Sequence, residues 1–384
     1  MAHVNTHNVH HSTFVDIYGK IKEFVKRNVV MVVAFIAALS TSFVVPIDAR
    51  YLGYFDFKTL TCLFCVLAVV CAFKNINFFY ILAKSVVKCF KTVRLSVIAL
   101  VYITFIGSMF IANDMALLTF LPLGYFVLST TGKKKYMAFT FIMQNIAANL
   151  GGMLTPFGNP QNLYLYTKFN IPNMEFIKIM APPFVVSIIL ITVCCFSIKN
   201  EPLELPEEKV TFDKKKAVIY SLLFVLAIAI VFRGISYIYG LIIIPIVLMF
   251  VDRDALKSVD YPLLLTFVFF FIFSGNMARI DVVRNVFSKL LEQNTLLVSA
   301  LSCQFISNVP SSILLSQFTE NYRELLVGVN IGGAGTLIAS LASLITFREY
   351  TKHNPHKVKE YIIKFTAYNF AFLAFLLVFE SIIL

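Results

Sequence analysis

Two short blocks of glycine and polar residues recur inside strongly apolar stretches of the sequence. Residues 149–155 read NLGGMLT, and residues 330–336 read NIGGAGT, with asparagine, the glycine pair and threonine at identical spacing. Glycine lets a helix leave its regular geometry and lets a solute approach the backbone. Because apolar membrane segments do not favour these residues, their repetition indicates two related binding segments rather than a chance match.

Two further polar breaks lie upstream of these blocks. Asn113-Asp114 interrupts the apolar stretch 95–130, and Asn308-Val309-Pro310 interrupts the stretch 295–318. Helix N-termini at such breaks carry partial positive charge and unpaired N–H groups, which favour an anion. The predicted solute-binding residues are Asn113, Asp114, Thr155, Gly158, Asn159, Asn162, Ser307, Asn308, Ser311, Thr336 and Ser340.

Unwound backbone carbonyls beside the same breaks suit a coupling cation such as Na⁺. The candidate Na⁺ positions are Asn113, Asn149, Gly151, Asn308, Asn330 and Gly332, and no other cofactor is expected. The competing interpretation is that these residues only cap broken helices or strengthen helix packing. Asp114 is the one acidic residue at a predicted break, and its carboxylate could take a proton, bind Na⁺ or cap the returning helix.

The composition identifies the class of protein that must position these groups. The chain has 384 residues, of which 59% are hydrophobic and 14% charged, and its mean hydropathy is +0.80. A soluble domain carries about 25% charged residues, and the apolar blocks here are long enough to cross a bilayer. The net charge of +12 fits the excess of lysine and arginine in cytoplasmic loops better than nucleic-acid binding.

The basic residues also predict the topology. Most of the 33 lysines and arginines fall in loops on one predicted side, which orients the chain in a plasma or inner membrane with its N-terminus cytoplasmic and its C-terminus extracytoplasmic. Basic clusters at 74–94 and 131–135 flank the stretch 95–130, so this stretch must enter and return on one side. The sequence therefore predicts an all-α polytopic protein with about nine spans and two re-entrant hairpins.

The predicted organisation is a pair of inverted repeats. Its parts are a cytoplasmic tail (1–27), a first repeat (28–198) with hairpin 95–130, a cytoplasmic linker (199–216), a connecting span (217–232) and a second repeat (233–384) with hairpin 295–318. Because the extra span reverses the second repeat, the two hairpins would open from opposite faces. Inverted repeats with broken helices that meet near the midplane are typical of secondary transporters.

The motif residues resemble the ion transporter superfamily. This group includes arsenical-pump membrane subunits, citrate–metal symporters, divalent anion–sodium symporters and a sodium–proton antiporter branch. The resemblance rests on Asn113-Asp114 with Pro122, on 148–162 (ANLGGMLTPFGNPQN), and on 307–311 (SNVPS) and 330–336, and it covers residues 74 to 347. It implies an anion permease with both hairpin tips at the site, a homodimeric assembly and an elevator-like movement. Both tips lack the Ser-Asn-Thr sequence of the dicarboxylate branch.

Three functional classes remain to be compared. The first is transport of a small anion, coupled to Na⁺ or H⁺, and the second is sodium–proton antiport that uses Asp114. A membrane-embedded enzyme is the third, but the spans contain no paired acids, His-rich motif or nucleophile–base spacing. The sequence favours the anion transporter, with membrane lipid and the solute as its partners.

Overall fold

The computed structural model describes residues 22–25, 28–203 and 213–384, which form an all-helical protein. The helices of the first half are α1 (Val29–Val44), α2 (Phe57–Asn75), α3 (Phe78–Val87), α4 (Val93–Ile111), α5 (Asn113–Thr130), α6 (Met137–Gly151), α7 (Pro160–Lys168) and α8 (Asn173–Phe196). Those of the second half are α9 (Lys214–Val231), α10 (Tyr237–Val251), α11 (Arg253–Lys257), α12 (Tyr261–Ala278), α13 (Asp281–Ile306), α14 (Asn308–Leu315), α15 (Tyr322–Ile331), α16 (Leu341–His353) and α17 (Val358–Ile383). Most of the tail 1–27 and half of the linker 199–216 lie outside the described residues.

Several helices have the length and composition of membrane spans. Within the described ranges, five segments qualify: Phe57–Asn75, Val93–Ile111, Asn173–Phe196, Tyr261–Ala278 and Pro355–Ile383. Helices α1 and α10 are shorter but equally apolar, and they leave side chains such as Phe43 and Phe250 almost fully exposed. Large exposed apolar surfaces of this kind mark contact with a membrane. The chain is therefore a polytopic membrane protein.

Two pairs of helices fold back on themselves at a single residue. Ala112 joins α4 to α5 with φ 62° and ψ 150°, and Ser307 joins α13 to α14 with φ 74° and ψ 158°. Helix α4 packs against α5, and α13 packs against α14. The sequence predicted the breaks at Asn113-Asp114 and at Asn308-Val309-Pro310. Each break lies one residue earlier, because the asparagine begins the returning helix, where its Oδ1 accepts the next backbone N–H at 2.9 Å.

The second pair has a kink at the start of its first arm. Helix α13 bends at Asn294, where φ is −165° and ψ is 91°, and the Asn294 side chain accepts the N–H of Leu297 at 2.7 Å. An asparagine that accepts a backbone N–H of the next turn is a helix cap. The kink thus separates residues 281–293 from the arm that begins at 295, which is where the sequence predicted the second hairpin to begin.

Both ends of the α4–α5 pair meet at one residue, Glu201. The backbone of Glu201 accepts the N–H of Val93 at 2.8 Å. Its side chain accepts hydrogen bonds from Lys133, Lys135 and Tyr136 at 2.7, 2.6 and 2.8 Å. These donors hold the pKa of the Glu201 carboxyl near 2, well below its usual range. The start of α4 and the residues after α5 therefore lie at the same end of the molecule, although α4 by its length alone could cross a bilayer.

Two helical segments are interrupted where the glycine pairs occur. Helix α6 ends at Gly151, and after a short turn the chain stays non-helical until α7 begins at Pro160. In the second half, α15 ends at Ile331 and α16 begins at Leu341. The non-helical segments 155–159 and 332–340 are called the unwound segments below. They pack beside the two breaks at Ala112 and Ser307.

The helices pack in two groups. Helices α1, α2, α9, α10, α11 and α12 contact one another, and helices α4 to α8 contact α13 to α17 in many combinations. Fewer pairs connect the groups, namely α2 with α4 and α7, and α12 with α13 and α14. Both breaks and both unwound segments belong to the second group.

Candidate functional site

Both helix breaks line one cavity. Asn113 and Asp114 contribute from the α4–α5 pair, and Ser307 and Asn308 contribute from the α13–α14 pair. Gln161, at the start of α7, lies on the same wall. Residues at the starts of α1, α12 and α16 line the cavity as well, together with Arg348 further along α16. Two breaks that are distant in sequence therefore place polar side chains in one otherwise apolar chamber.

The two breaks contact the unwound segments in the same way. The N–H of Asn113 donates to the carbonyl of Gly158 at 3.2 Å, and the N–H of Asn308 donates to the carbonyl of Ala339 at 2.9 Å. Gly158 and Ala339 lie at the same distance along the chain after Asn149 and Asn330. The two sequence blocks thus have matching hydrogen bonds as well as matching residues.

The repeated threonines also occupy equivalent positions. Thr155 donates its hydroxyl to the carbonyl of Met109 at 2.7 Å, and Thr336 donates to the carbonyl of Gln304 at 3.0 Å. Each carbonyl lies in the last turn before a helix break, where it has no helical donor. Each threonine therefore ties an unwound segment to the first arm of its hairpin. Neither threonine lines the cavity.

Asn330 forms four hydrogen bonds, three of which connect the two halves. Its Oδ1 accepts from Asn159 at 3.2 Å and from Gln161 at 3.3 Å. Its Nδ2 donates to Asn162 Oδ1 at 2.6 Å and to the carbonyl of Leu326 at 2.7 Å. The asparagine side chains involved are buried, where unpaired amides are costly. In this arrangement Asn159 and Asn162 hold the start of α7 against Asn330 at the end of α15.

The remaining candidate Na⁺ positions surround the same asparagines. Asn113 Nδ2 donates to Asn149 Oδ1 at 3.3 Å, and the carbonyl of Gly332 accepts from Gln304 Nε2 at 2.8 Å. Gly151 is packed so closely that a Cβ atom there would lie 2.2 Å from the carbonyl oxygen of Phe105. The Na⁺ assignment stays a prediction.

Two serines of the predicted set lie just behind the second break. Ser311 is buried in α14, and its hydroxyl has no hydrogen-bond partner in the described structure. Ser340 is the N-cap residue before α16, where its Oγ accepts the N–H of Ser343 at 3.2 Å and lies 2.9 Å from the Ser343 hydroxyl. Of the predicted solute-binding residues, only Asn113, Asp114, Ser307 and Asn308 line the cavity.

Acidic side chains outnumber basic ones among the described residues that line the cavity. Asp114 has a buried Oδ1 atom without a hydrogen-bond partner, so its carboxylate does not act as a conventional helix cap through that atom. Asp260, at the start of α12, and Arg348, on α16, line the same cavity. Among its described lining residues, two acids face one cation, which leaves one excess negative charge when all three are ionised.

Sequence reasoning missed several of these residues. In the sequence, Asp260 and Arg348 look like ordinary charged residues of a loop and of a helix end. The residues around them give no indication that they line the same cavity as the breaks. Gln304 was missed although a glutamine in an apolar arm is a detectable signal. It accepts the N–H of Thr336 at 2.9 Å and donates to the unwound carbonyls of Gly332 and Ala334.

This architecture defines a membrane transporter. Broken helices that line a cavity inside a multi-span helical protein are characteristic of secondary transporters, because non-helical backbone at membrane depth survives only beside protein or a water-filled cavity. The chain matches the family described as Citrate transporter (CitMHS) over residues 18–322. It belongs to this family, and the predicted resemblance to the ion transporter superfamily is confirmed.

Two curated relatives agree with this assignment. The chain is 35% identical to "Uncharacterized transporter MJ0456" of Methanocaldococcus jannaschii, over 76% of this chain and 81% of that protein. It is 29% identical to "Inner membrane protein YbiR" of Escherichia coli, over 82% of this chain and 85% of that protein. The protein is thus a multi-pass protein of the inner or plasma membrane, and a transporter rather than an enzyme.

Proposed function

We propose that this protein is a secondary active transporter for a small anionic solute, coupled to Na⁺ or H⁺. The observation that carries the proposal is that the four helices which follow the two breaks and the two unwound segments all begin at the cavity. The first residues of α5, α7, α14 and α16, which are Asn113, Pro160, Asn308 and Leu341, all line it. Each helix N-terminus carries partial positive charge, so these four favour an anion between them. The citrate transporter family supports a carboxylate-like anion.

The acidic residues of the cavity explain why transport would be coupled. Asp114 and Asp260 repel an incoming anion, and Arg348 offsets only one of their charges. A proton or Na⁺ that neutralises Asp114 removes this repulsion. Solute and cation then enter the cavity favourably together, and neither enters as favourably alone. The site would include the remaining predicted residues as the supporting layer behind the helix breaks.

The proposed arrangement in the membrane has nine spans and two re-entrant hairpins. The spans are α1, α2, α6 with α7, α8, α9, α10, α12, α15 with α16, and α17, and the hairpins are α4–α5 and the arm of α13 after Asn294 with α14. The matching hydrogen bonds at the two breaks support inverted repeats over 28–198 and 233–384. The Glu201 contacts support a first hairpin that returns to its own side.

The proposed topology has a cytoplasmic N-terminus and an extracytoplasmic C-terminus, and the assembly is a homodimer in the lipid bilayer. Impermeant thiol reagents applied to variants with a single cysteine at Lys91 or Lys134 test the hairpin. Both cysteines should react from the same side of the membrane. Reaction from opposite sides would mean that α4 and α5 together cross the membrane once as a single broken span, and it would remove the symmetric cavity.

Sodium–proton antiport is the second candidate, and one observation favours it. Asp114 lines the cavity and has a buried carboxylate oxygen without a partner in the described structure, as expected of a proton-exchanging group. Antiport would need no organic or inorganic anion at all, so the two candidates are separated by a direct measurement.

The deciding experiment is uptake by proteoliposomes across a panel of arsenite, citrate, succinate, sulfate and phosphate, with Na⁺ and pH gradients imposed separately. Anion uptake that depends on one gradient supports the proposal. Na⁺/H⁺ exchange in the absence of every anion would replace it with antiport. Asn308→Ala should abolish uptake at unchanged expression, because it removes the amide at the second break. Asn285→Ala, at an exposed position, is the matched control and should transport normally.

A further inference from the structure

A second cavity lies at the other end of the helices that form the solute site. Its lining includes Asp56, Thr167, Lys168 and Gln317, and it contains none of the predicted site residues. The loops that contribute Asp56 and Lys168 are extracytoplasmic in the topology proposed above. The solute site, by contrast, is lined by residues at the ends of α1, α12 and α16 that the same topology places near the cytoplasm.

Helices α7 and α12 contribute lining residues to both cavities. On α7, Gln161 lines the solute site and Tyr164 lines the second cavity. On α12, Thr266 lines the first and Phe271 the second. A helix rises 1.5 Å per residue, so these pairs are separated by about 5 to 8 Å along their axes. The barrier between the cavities is therefore only one or two helical turns thick.

Tyr164 lines the second cavity on the side of α7, about one helical turn from Gln161. It is 2% exposed, and its ring centroid lies 5.6 Å from that of Phe271. Its hydroxyl lies 2.8 Å from Ser316 Oγ, at the end of α14, and accepts from Gln317 Nε2 at 3.4 Å. Tyr164 and Ser316 belong to one group of helices, and Phe271 belongs to the other. A contact between the two helix groups thus lies where the second cavity approaches the solute site.

We infer that the second cavity is the outer vestibule of the solute pathway and that Tyr164, with Phe271 and Ser316, is the gate that closes it in this conformation. The inference rests on the proposed transport function, because a gate has meaning only if a solute passes. The hydroxyl bridge to Ser316 holds the tyrosine in place, and the ring fills the space against Phe271. Opening the gate requires both contacts to separate.

The test measures access across the gate with impermeant thiol reagents. In a background without the seven native cysteines, Thr167→Cys reports on the vestibule and Thr266→Cys on the solute site. The side from which the cysteine at 167 reacts defines the vestibule side. From that side, the cysteine at 266 should react slowly in the parent protein. Tyr164→Phe should accelerate its reaction about two- to tenfold, since a net hydrogen bond of this kind is lost, and Tyr164→Ala should accelerate it further.

Tyr361→Phe is the matched control, because Tyr361 is also fully buried but has a hydroxyl without a hydrogen-bond partner in the described structure. It should leave the labelling rate unchanged. The inference is overturned if the cysteine at 266 reacts equally fast with and without Tyr164, or if it is freely accessible from the vestibule side in the parent. The proposed function fails separately, if no panel anion is taken up while the labelling rates still depend on Tyr164.

Discussion

The backbone strain at Ala112, which joins the two helices of the first hairpin, predicts the effect of a glycine substitution on stability. Ala112 has φ 62° and ψ 150°, a region that residues with a Cβ atom rarely adopt and that stores about 1–3 kcal/mol of strain. Ala112→Gly removes the steric source of this strain. The variant also loses a buried methyl group and gains backbone entropy in the unfolded chain, which together oppose the release by about 1–2 kcal/mol.

The control Ala116→Gly isolates the strain from these opposing effects. Ala116 is also buried, but it lies inside α5 in helical geometry. It loses the same methyl group and gains the same unfolded-state entropy, without any release of strain. We therefore expect Ala112→Gly to be about 1–3 kcal/mol more stable than Ala116→Gly.

The assay is the midpoint of denaturant unfolding in detergent micelles, followed by circular dichroism at equal protein and detergent concentrations. Ser307→Gly provides a second measurement, since Ser307 joins the other hairpin with φ 74°. Equal destabilisation by Ala112→Gly and Ala116→Gly would refute the reasoning. It would mean that the break at residue 112 holds no strain and that the chain turns there without a steric penalty.

Three further predictions concern the site and its supports. Gly158→Ala should destabilise the protein by about 1–3 kcal/mol and abolish uptake, because the added Cβ atom would lie 2.2 Å from the carbonyl oxygen of Gly152. The control is Gly53→Ala, whose added Cβ atom meets no other atom within 4 Å. Its free energy of unfolding should stay within about 0.5 kcal/mol of the parent protein. Because the pKa of Glu201 is lowered, its carboxylate stabilises the folded protein above pH 4.5, and this stabilisation is lost as the pH falls towards 2. Glu201→Gln should therefore flatten the pH dependence of the unfolding midpoint between these two pH values. An unchanged pH dependence would exclude a contribution of Glu201 to stability. Asp114→Asn should uncouple uptake from the imposed cation gradient while Asp254→Asn, at an exposed ion pair, should not; gradient-driven uptake by Asp114→Asn would remove this residue from coupling.

The sequence by itself determined where the helices lie and where they are interrupted. Membrane helices are apolar over a length set by the bilayer, and glycine, proline and asparagine act on the backbone within a few residues. The spans, the unwound segments after Gly151 and Ile331 and the approximate hairpin bounds follow from such local effects. The repeat was visible because its two blocks keep the same polar residues at the same spacing.

Only the tertiary structure decided which residues meet across the two halves. Asp260 and Arg348 face the cavity because α12 and α16 pack beside the breaks, and neither residue carries a local signal of this. Asn330 is held by first-half amides, and Tyr164 meets Phe271 across the boundary between the helix groups. Such contacts depend on helix packing, which is spread over many weak interactions between distant segments. A sequence pattern therefore locates the breaks, whereas the charge of the chamber and its closure emerge from the packing of the helices around them.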